Sequence, residues 1–358
     1  MKTLKSDSHC IPFSEPLVDS FGRCVTYLRL SVTDRCNFRC TYCMPERMTF
    51  LCKNAVLTGA ELVRLSKIFI RLGIRKIRIT GGEPLVRKDL VPEILPQLSK
   101  YILDGNDSTK LSKEKLGLSE ITLTTNGSRL AYFADKLAKC GIKRINVSLD
   151  TLKPEVFTKI TRQKDSLNNI LEGIQQALAV GLHVKINCVL LKSVNDGEVD
   201  SLIEWCGQLG MDLVFIEVMP MGDLNDTSHY AQYIPLTDVK RLMHRWTLVP
   251  ESTCTGGPAR YWHCQETQGR IGFIAPLTEN FCAGCNRVRL TCTGDLYPCL
   301  GHDQHVDLRS LLRDGADDDC IISAIREAIS EKPEKHNFDY NIFRDTPVVS
   351  RHMSVTGG

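Results

Sequence analysis

From residue 26 to about 218, short strand-like runs of apolar residues alternate with longer segments whose apolar positions recur on one helical face. The predicted strands are YLRLSV (27–32), KIRIT (76–80), EITLTT (120–125), RINVSL (144–149), VKINCVLL (184–191) and LVFIEV (213–218). The clearest helix is TGAELVRLSKIFIRLG (58–73), in which Leu62, Leu65, Phe69 and Leu72 share a face. Thr58 followed by Glu61 matches a capping box, which satisfies backbone donors at a helix start. Further helices are predicted over 89–102, 129–140, 166–180 and 196–209.

Strand, helix and parallel strand repeated six times is an α/β pattern, and right-handed crossovers curl such units one way. Six units rather than eight predict a partial barrel, open on one side. The polar stretch 104–117 reads as a surface loop. After residue 220 glycine and proline rise and periodicity fades, so a boundary is expected near 222. The expected organisation is an N-terminal extension (1–20), a barrel (21–222) and a smaller C-terminal domain (223–358).

Composition narrows the function. The 358 residues are 42% hydrophobic and 24% charged, with a formal charge of only +3. That balance argues against a general nucleic-acid binder, while leaving room for a local basic pocket. No apolar run approaches the roughly 20 residues a membrane helix needs. The first twenty residues mix lysines with acids and lack an apolar core, unlike a signal peptide or a mitochondrial presequence. Sixteen cysteines without an export signal point to a reducing cytoplasm and to metal or redox chemistry.

Two cysteine groups have ligand spacing. CNFRCTYC (36–43) places Cys36, Cys40 and Cys43 just after the first strand, at the end where barrel active sites assemble. Three clustered thiolates suit a 4Fe–4S cube better than zinc, which takes four ligands in closed sites. The cube's fourth iron is then open to a substrate or cofactor. This segment resembles the hallmark of the radical S-adenosylmethionine superfamily, C-x3-C-x-aromatic-C, with Tyr42 as the aromatic. The resemblance implies that the open iron chelates S-adenosylmethionine and that one electron then releases a 5′-deoxyadenosyl radical. TGGEP (80–84) is similar to the turn that receives the methionine amino group, and its glycines let backbone approach a ligand closely.

The second group, FCAGCNRVRLTCTGDLYPC (281–299), gives Cys282, Cys285 and Cys299. By spacing alone zinc, with Cys292 as a fourth ligand, and a second cluster are equally good readings. NRVRLTCTGDLYPCLGHDQHVDLRSLLR (286–313), CNFRCTYC and the closing Gly357-Gly358 together resemble the GTP 3′,8-cyclase family of molybdenum cofactor biosynthesis. The likeness runs from about residue 20 to 358. It implies a second 4Fe–4S cluster on Cys282, Cys285 and Cys299, its open iron facing guanine.

A triphosphate wants several cations. Arg287 and Arg289 fall on one side of an extended strand, Arg29 and Arg78 lie on strands one and two, and Lys185 on strand five. With Thr124, these match family positions that bind GTP. Tyr42, Gly82, Ser148 and Met219 match positions for S-adenosylmethionine. The resemblance assigns Arg287, Arg289, Gly357 and Gly358 to catalysis, with the tail reaching into the active site. It further implies a flavodoxin- or ferredoxin-like electron donor, a downstream cyclic pyranopterin monophosphate synthase, and a homodimer as a common state. Two rivals stand beside this reading: a radical enzyme acting on a peptide, and a zinc-stabilised binding protein.

Overall fold

The computed structural model describes residues 15–103, 116–222, 231–251, 257–338, 349 and 351–357. Residues 1–14 of the expected extension, 104–115 of the expected loop, and Gly358 lie outside them.

Six strands follow one another in chain order across one sheet: β1 (Tyr27–Ser31), β2 (Lys76–Thr80), β3 (Glu120–Thr125), β4 (Arg144–Ser148), β5 (His183–Leu190) and β6 (Asp212–Glu217). All neighbouring pairs among them are parallel. Helices α1 (Gly59–Arg71), α2 (Leu95–Ser99), α3 (Leu130–Lys139), α4 (Pro154–Thr161), α5 (Leu167–Ala179) and α6 (Val199–Gln208) fill the crossovers. This is the α/β partial barrel the alternation predicts, and every strand end falls within one residue of its expected place. The capping box of α1 is present in both directions: Glu61 N–H donates to Thr58 Oγ1, and Thr58 N–H to the Glu61 carboxylate.

The segment expected as one helix over 89–102 differs. A π-helical turn, Leu90–Ile94, leads into the short α2, with Leu95 N–H donating to Leu90 O. Pro96 has no N–H, and its ring crowds the carbonyl four residues back, so the backbone widens by one residue there. Helix α4 was not expected; Pro154 in its first turn is the signal that marks its start.

The strands carry two kinds of face. Leu28, Leu30, Ile77, Ile79, Val184 and Ile186 pack into the main core with the helices. The alternate positions hold Arg29, Arg78, Thr122, Thr124, Asn146 and Lys185, which are also buried. A buried polar face is costly unless something polar meets it, so the barrel interior is built for a ligand.

The sheet runs on past position 222. β7 (Leu248–Pro250), β8 (Arg260–Cys264) and β9 (Arg270–Ile274) extend it beyond β6, with β9 parallel to β6. At the other edge β10 (Arg287–Leu290) pairs parallel with β1, followed by β11 (Asp295–Tyr297) and β12 (Val306–Asp307). Among the described residues no helix is long and apolar enough to cross a membrane.

Candidate functional site

The first cysteine group occupies the loop leaving β1. Cys43 N–H and Met44 N–H both donate to Cys40 O, closing a tight turn. Phe38 N–H donates to Cys36 Sγ at 3.4 Å and the Asn126 amide reaches it at 3.8 Å. Burial pushes the Cys36 thiol up to about 11. Cys43 goes up to about 12 and Cys40 well above the ordinary thiol range, by burial and then by the charge of neighbouring cysteines. Thiols that raise one another's pKa thus share one loop, and a metal held there would replace their mutual repulsion with attraction once the protons are lost. Among the described residues no three Cys, His, Asp or Glu side chains converge as ligands of a metal ion, so the fit rests on this loop chemistry.

The TGGEP turn is tied to that loop. Gly82 N–H donates to Thr33 O at 2.7 Å and Glu83 N–H to Arg35 O at 2.8 Å. A Cβ at Gly82 would collide with the Arg35 and Asp34 carbonyls, so the close approach this glycine permits is made by the cysteine loop itself. Glu83 is fully buried and accepts from Leu85 N–H, the Thr125 hydroxyl and Asn126 N–H. Burial pushes its carboxyl up to about 7. The Tyr42 hydroxyl donates to Asp150 at 2.7 Å, which orients the ring. Ser148 ends β4 in register with Asn187 of β5.

An open cleft of about 1110 Å³ holds the second cysteine group and most of the basic residues. Cys282, Cys285 and Cys299 line it with Arg29, Arg78, Lys185, Arg287, Arg289 and Met219. Thr124 is not on the lining; it lies in register beside Asn146, which is. Register also sets Arg289, Arg29 and Arg78 side by side on β10, β1 and β2. Their crowding is electrostatically expensive. Burial, followed by Arg29 and Arg287, drives Arg289 well below the ordinary arginine range. Burial and then Arg78 do the same to Lys185. Asp212, the acid in register with Lys185, is already engaged by Arg270 at 2.7 Å and His183 at 2.9 Å. A wall of mutually repelling cations is matched by a polyanion.

Cys285 lies under Arg287 and Lys332. Burial raises its thiol, but those two charges, with hydrogen bonds from Arg287, outweigh it and bring it to about 7. Burial pushes the Cys299 thiol up. Lys332 donates to Arg287 O at 3.0 Å and to Pro298 O, bracing the strand and the turn that carry Cys285 and Cys299. Sequence reasoning missed Lys332, which follows a helix end with no motif around it. It also missed Asn146 and Asn187, although their inward parity on β4 and β5 is readable.

The C-terminal tail crosses the cleft. Val349 bridges to Met221, and Met353 lines the cavity. Ser354 N–H reaches Cys43, while Gly357 O accepts from Arg289 at 2.8 Å and Arg29 at 3.3 Å. The tail thus touches both the first cysteine loop and the cation wall.

Residues 30–206 match the Radical SAM superfamily model, and residues 211–338 match Molybdenum Cofactor Synthesis C. A GTP 3′,8-cyclase of Brucella canis is 53% identical over 346 residues, covering 96% of each chain. That of Brucella abortus (strain S19) is 52% identical over 353 residues, covering 98% of each. Among solved structures, Streptococcus suis SuiB bound to S-adenosylmethionine aligns with a TM-score of 0.57 at 16% identity, over 93% of this chain and 78% of that one. SuiB bound to its precursor peptide SuiA aligns with a TM-score of 0.58, also at 16% identity, over 97% and 76%. At that identity the likeness is one of fold.

Proposed function

The chain belongs to the GTP 3′,8-cyclase family of radical S-adenosylmethionine enzymes, and from that premise we propose how its own residues divide the work. The reaction is the first step of molybdenum cofactor biosynthesis, conversion of GTP to (8S)-3′,8-cyclo-7,8-dihydroguanosine 5′-triphosphate. Cys36, Cys40 and Cys43 would hold one 4Fe–4S cluster that binds S-adenosylmethionine, and Cys282, Cys285 and Cys299 would hold a second that serves the guanine. When bound, the first cluster and S-adenosylmethionine would supply hydrogen-abstracting radical chemistry to the ribose of GTP.

Arg29, Arg78, Lys185, Arg287 and Arg289 neutralise the triphosphate, with Thr124 beside them. Each cation crowded by its neighbours gains from the anion, so charge holds the nucleotide in one register on the wall. Tyr42, Gly82, Ser148 and Met219 seat S-adenosylmethionine at the upper ends of the strands. Gly357 and Gly358 serve catalysis; Gly357, whose carbonyl meets Arg289 and Arg29, closes the space between the ligands and excludes water, which protects a radical from side reactions. The functional division is a barrel over 21–222 and a cluster-bearing segment over 223–358. The enzyme works in the cytoplasm with a small one-electron donor, hands its product to cyclic pyranopterin monophosphate synthase, and forms homodimers.

The observation that carries this reading is the single cleft lined by the second cysteine group and the cations of β1, β2, β5 and β10. Anaerobic turnover with S-adenosylmethionine and either GTP or ATP, followed by mass analysis, tests it. Cyclised product from GTP alone is expected. Product from ATP at a comparable rate would overturn the guanine assignment, and colourless protein carrying stoichiometric zinc would overturn both clusters.

A further inference from the structure

The cation wall accounts for a triphosphate, and yet the most buried polar side chain in the cleft, Asn146, is neutral, and a second amide, the partly buried Asn187, lies near it. Asn146 is 0% exposed, and neither its Nδ2 nor its Oδ1 meets a protein hydrogen-bond partner. Asn187 Oδ1 is in the same condition. Both residues line the cavity. Asn146 stands in register between Thr124 of β3 and Lys185 of β5, while Asn187 lies opposite Ser148, one inward position nearer the cysteine-loop end. A buried amide without partners costs stability, and a fold keeps one where a ligand completes its bonds. A primary amide offers two donors and acceptor lone pairs at once. Arginine and lysine can only donate, and carboxylates can only accept. A group that itself donates and accepts, such as a sugar hydroxyl, is therefore what an amide selects and a cation does not.

We infer that Asn146 and Asn187 grip the ribose hydroxyls of the nucleotide and so set which ribose hydrogen faces the adenosyl radical. The inference rests on GTP as substrate. The cations take the phosphates and the second cysteine group lies toward the base, so the ribose spans the wall between them. Asn146 beside Lys185, and Asn187 a step closer to Ser148, follow the path from phosphate to the first cysteine loop.

The test uses reconstituted holoenzyme with GTP, 2′-deoxy-GTP and ITP, in wild type and in Asn146→Ala, Asn187→Ala and Asn146→Leu. Wild type should favour GTP over 2′-deoxy-GTP by about tenfold in kcat/KM, and Asn146→Ala should lose about tenfold on GTP and bring the two substrates within about twofold. Asn187→Ala should narrow the ratio in the same direction. S-adenosylmethionine affinity should stay unchanged. The ligand-free Asn146→Leu protein should unfold at or above the wild-type temperature, because an apolar isostere removes an unpaired amide. An unchanged GTP to 2′-deoxy-GTP ratio in Asn146→Ala would overturn the inference. So would collapse of GTP over ITP discrimination instead, which would place the amide at the base, or a lowered unfolding temperature in Asn146→Leu, which would make it structural. Wild type inactive on GTP would overturn the substrate reading first, and is seen before any variant is made.

Discussion

Replacing Gly357 with alanine isolates the tail's part in the chemistry. Its backbone sits at φ 76°, ψ 119°, a region that side chains rarely enter, at a cost of about 1–3 kcal/mol. The new Cβ would also meet Thr80, whose Oγ1 lies at 2.6 Å and whose Cγ2 is closer still. Because both branches of Thr80 face the position, turning its side chain leaves at least one heavy atom in the way. Taking about 2 kcal/mol as the lower bound for the two effects together, the docked tail population falls roughly 30-fold. The loss is local, since the tail ends at the cleft rather than in the main core. Formation of 5′-deoxyadenosine under anaerobic conditions should therefore drop about as far, with iron content and unfolding temperature unchanged. Thr80→Ala in the same chain should return part of the activity, as coupled neighbours do. Wild-type rates in Gly357→Ala would refute the argument and leave the tail without a catalytic part.

Triple Cys→Ala replacement at either group should halve a total of about eight irons per chain, measured with labile sulfide on anaerobic material; iron that disappears from both sites at once would refute two independent clusters. Arg287→Ala and Arg289→Ala should each weaken GTP binding by about 1.5–3 kcal/mol without moving S-adenosylmethionine affinity in calorimetry, and equal weakening of both ligands would mean loss of fold. Glu83 gives a pH signature. Burial raises its carboxyl to about 7, so the native chain holds a proton that the unfolded chain has released above its ordinary value of about 4.3. Its contribution to stability is fully present below that value and is lost as pH rises to about 7. Glu83→Gln should flatten this part of the stability curve in urea unfolding, and an unaltered slope would refute the assignment.

How far the sequence could be read follows from which interactions are local. Strand positions and most helix positions within 27–217, α4 excepted, follow from apolar periodicity, which depends on neighbours a few residues away. The π turn at Leu90–Ile94 needed only closer attention to Pro92 and Pro96. The placement of β10 beside β1 could not be read, because four residues between two turns carry no sign of a partner so distant in the chain. For the same reason Lys332 was invisible: its worth lies in two carbonyls that only the tertiary fold brings together. The arginines and cysteines were found by motif. That Asp150 fixes Tyr42, and that the cysteine loop packs against Gly82, emerges only from the packing.

The inner wall also explains why a shared barrel need not mean a shared substrate. SuiB, solved with a precursor peptide, aligns over 97% of this chain while keeping 16% identity. A peptide backbone is neutral and hydrogen-bonds equally well to amides, hydroxyls or other backbone. Gathering Arg29, Arg78, Arg289 and Lys185 in one interior would then bring desolvation and mutual repulsion that the tail carbonyl and the Tyr261 hydroxyl offset only in part. A triphosphate reverses that balance, since every cation in the row gains from the same ligand. The row exists because β10 docks parallel to β1 and sets Arg289 next to Arg29, with Arg78 beyond. The segment after 222 therefore adds Arg287 and Arg289 to cations the barrel strands already carry, by docking one parallel strand beside β1.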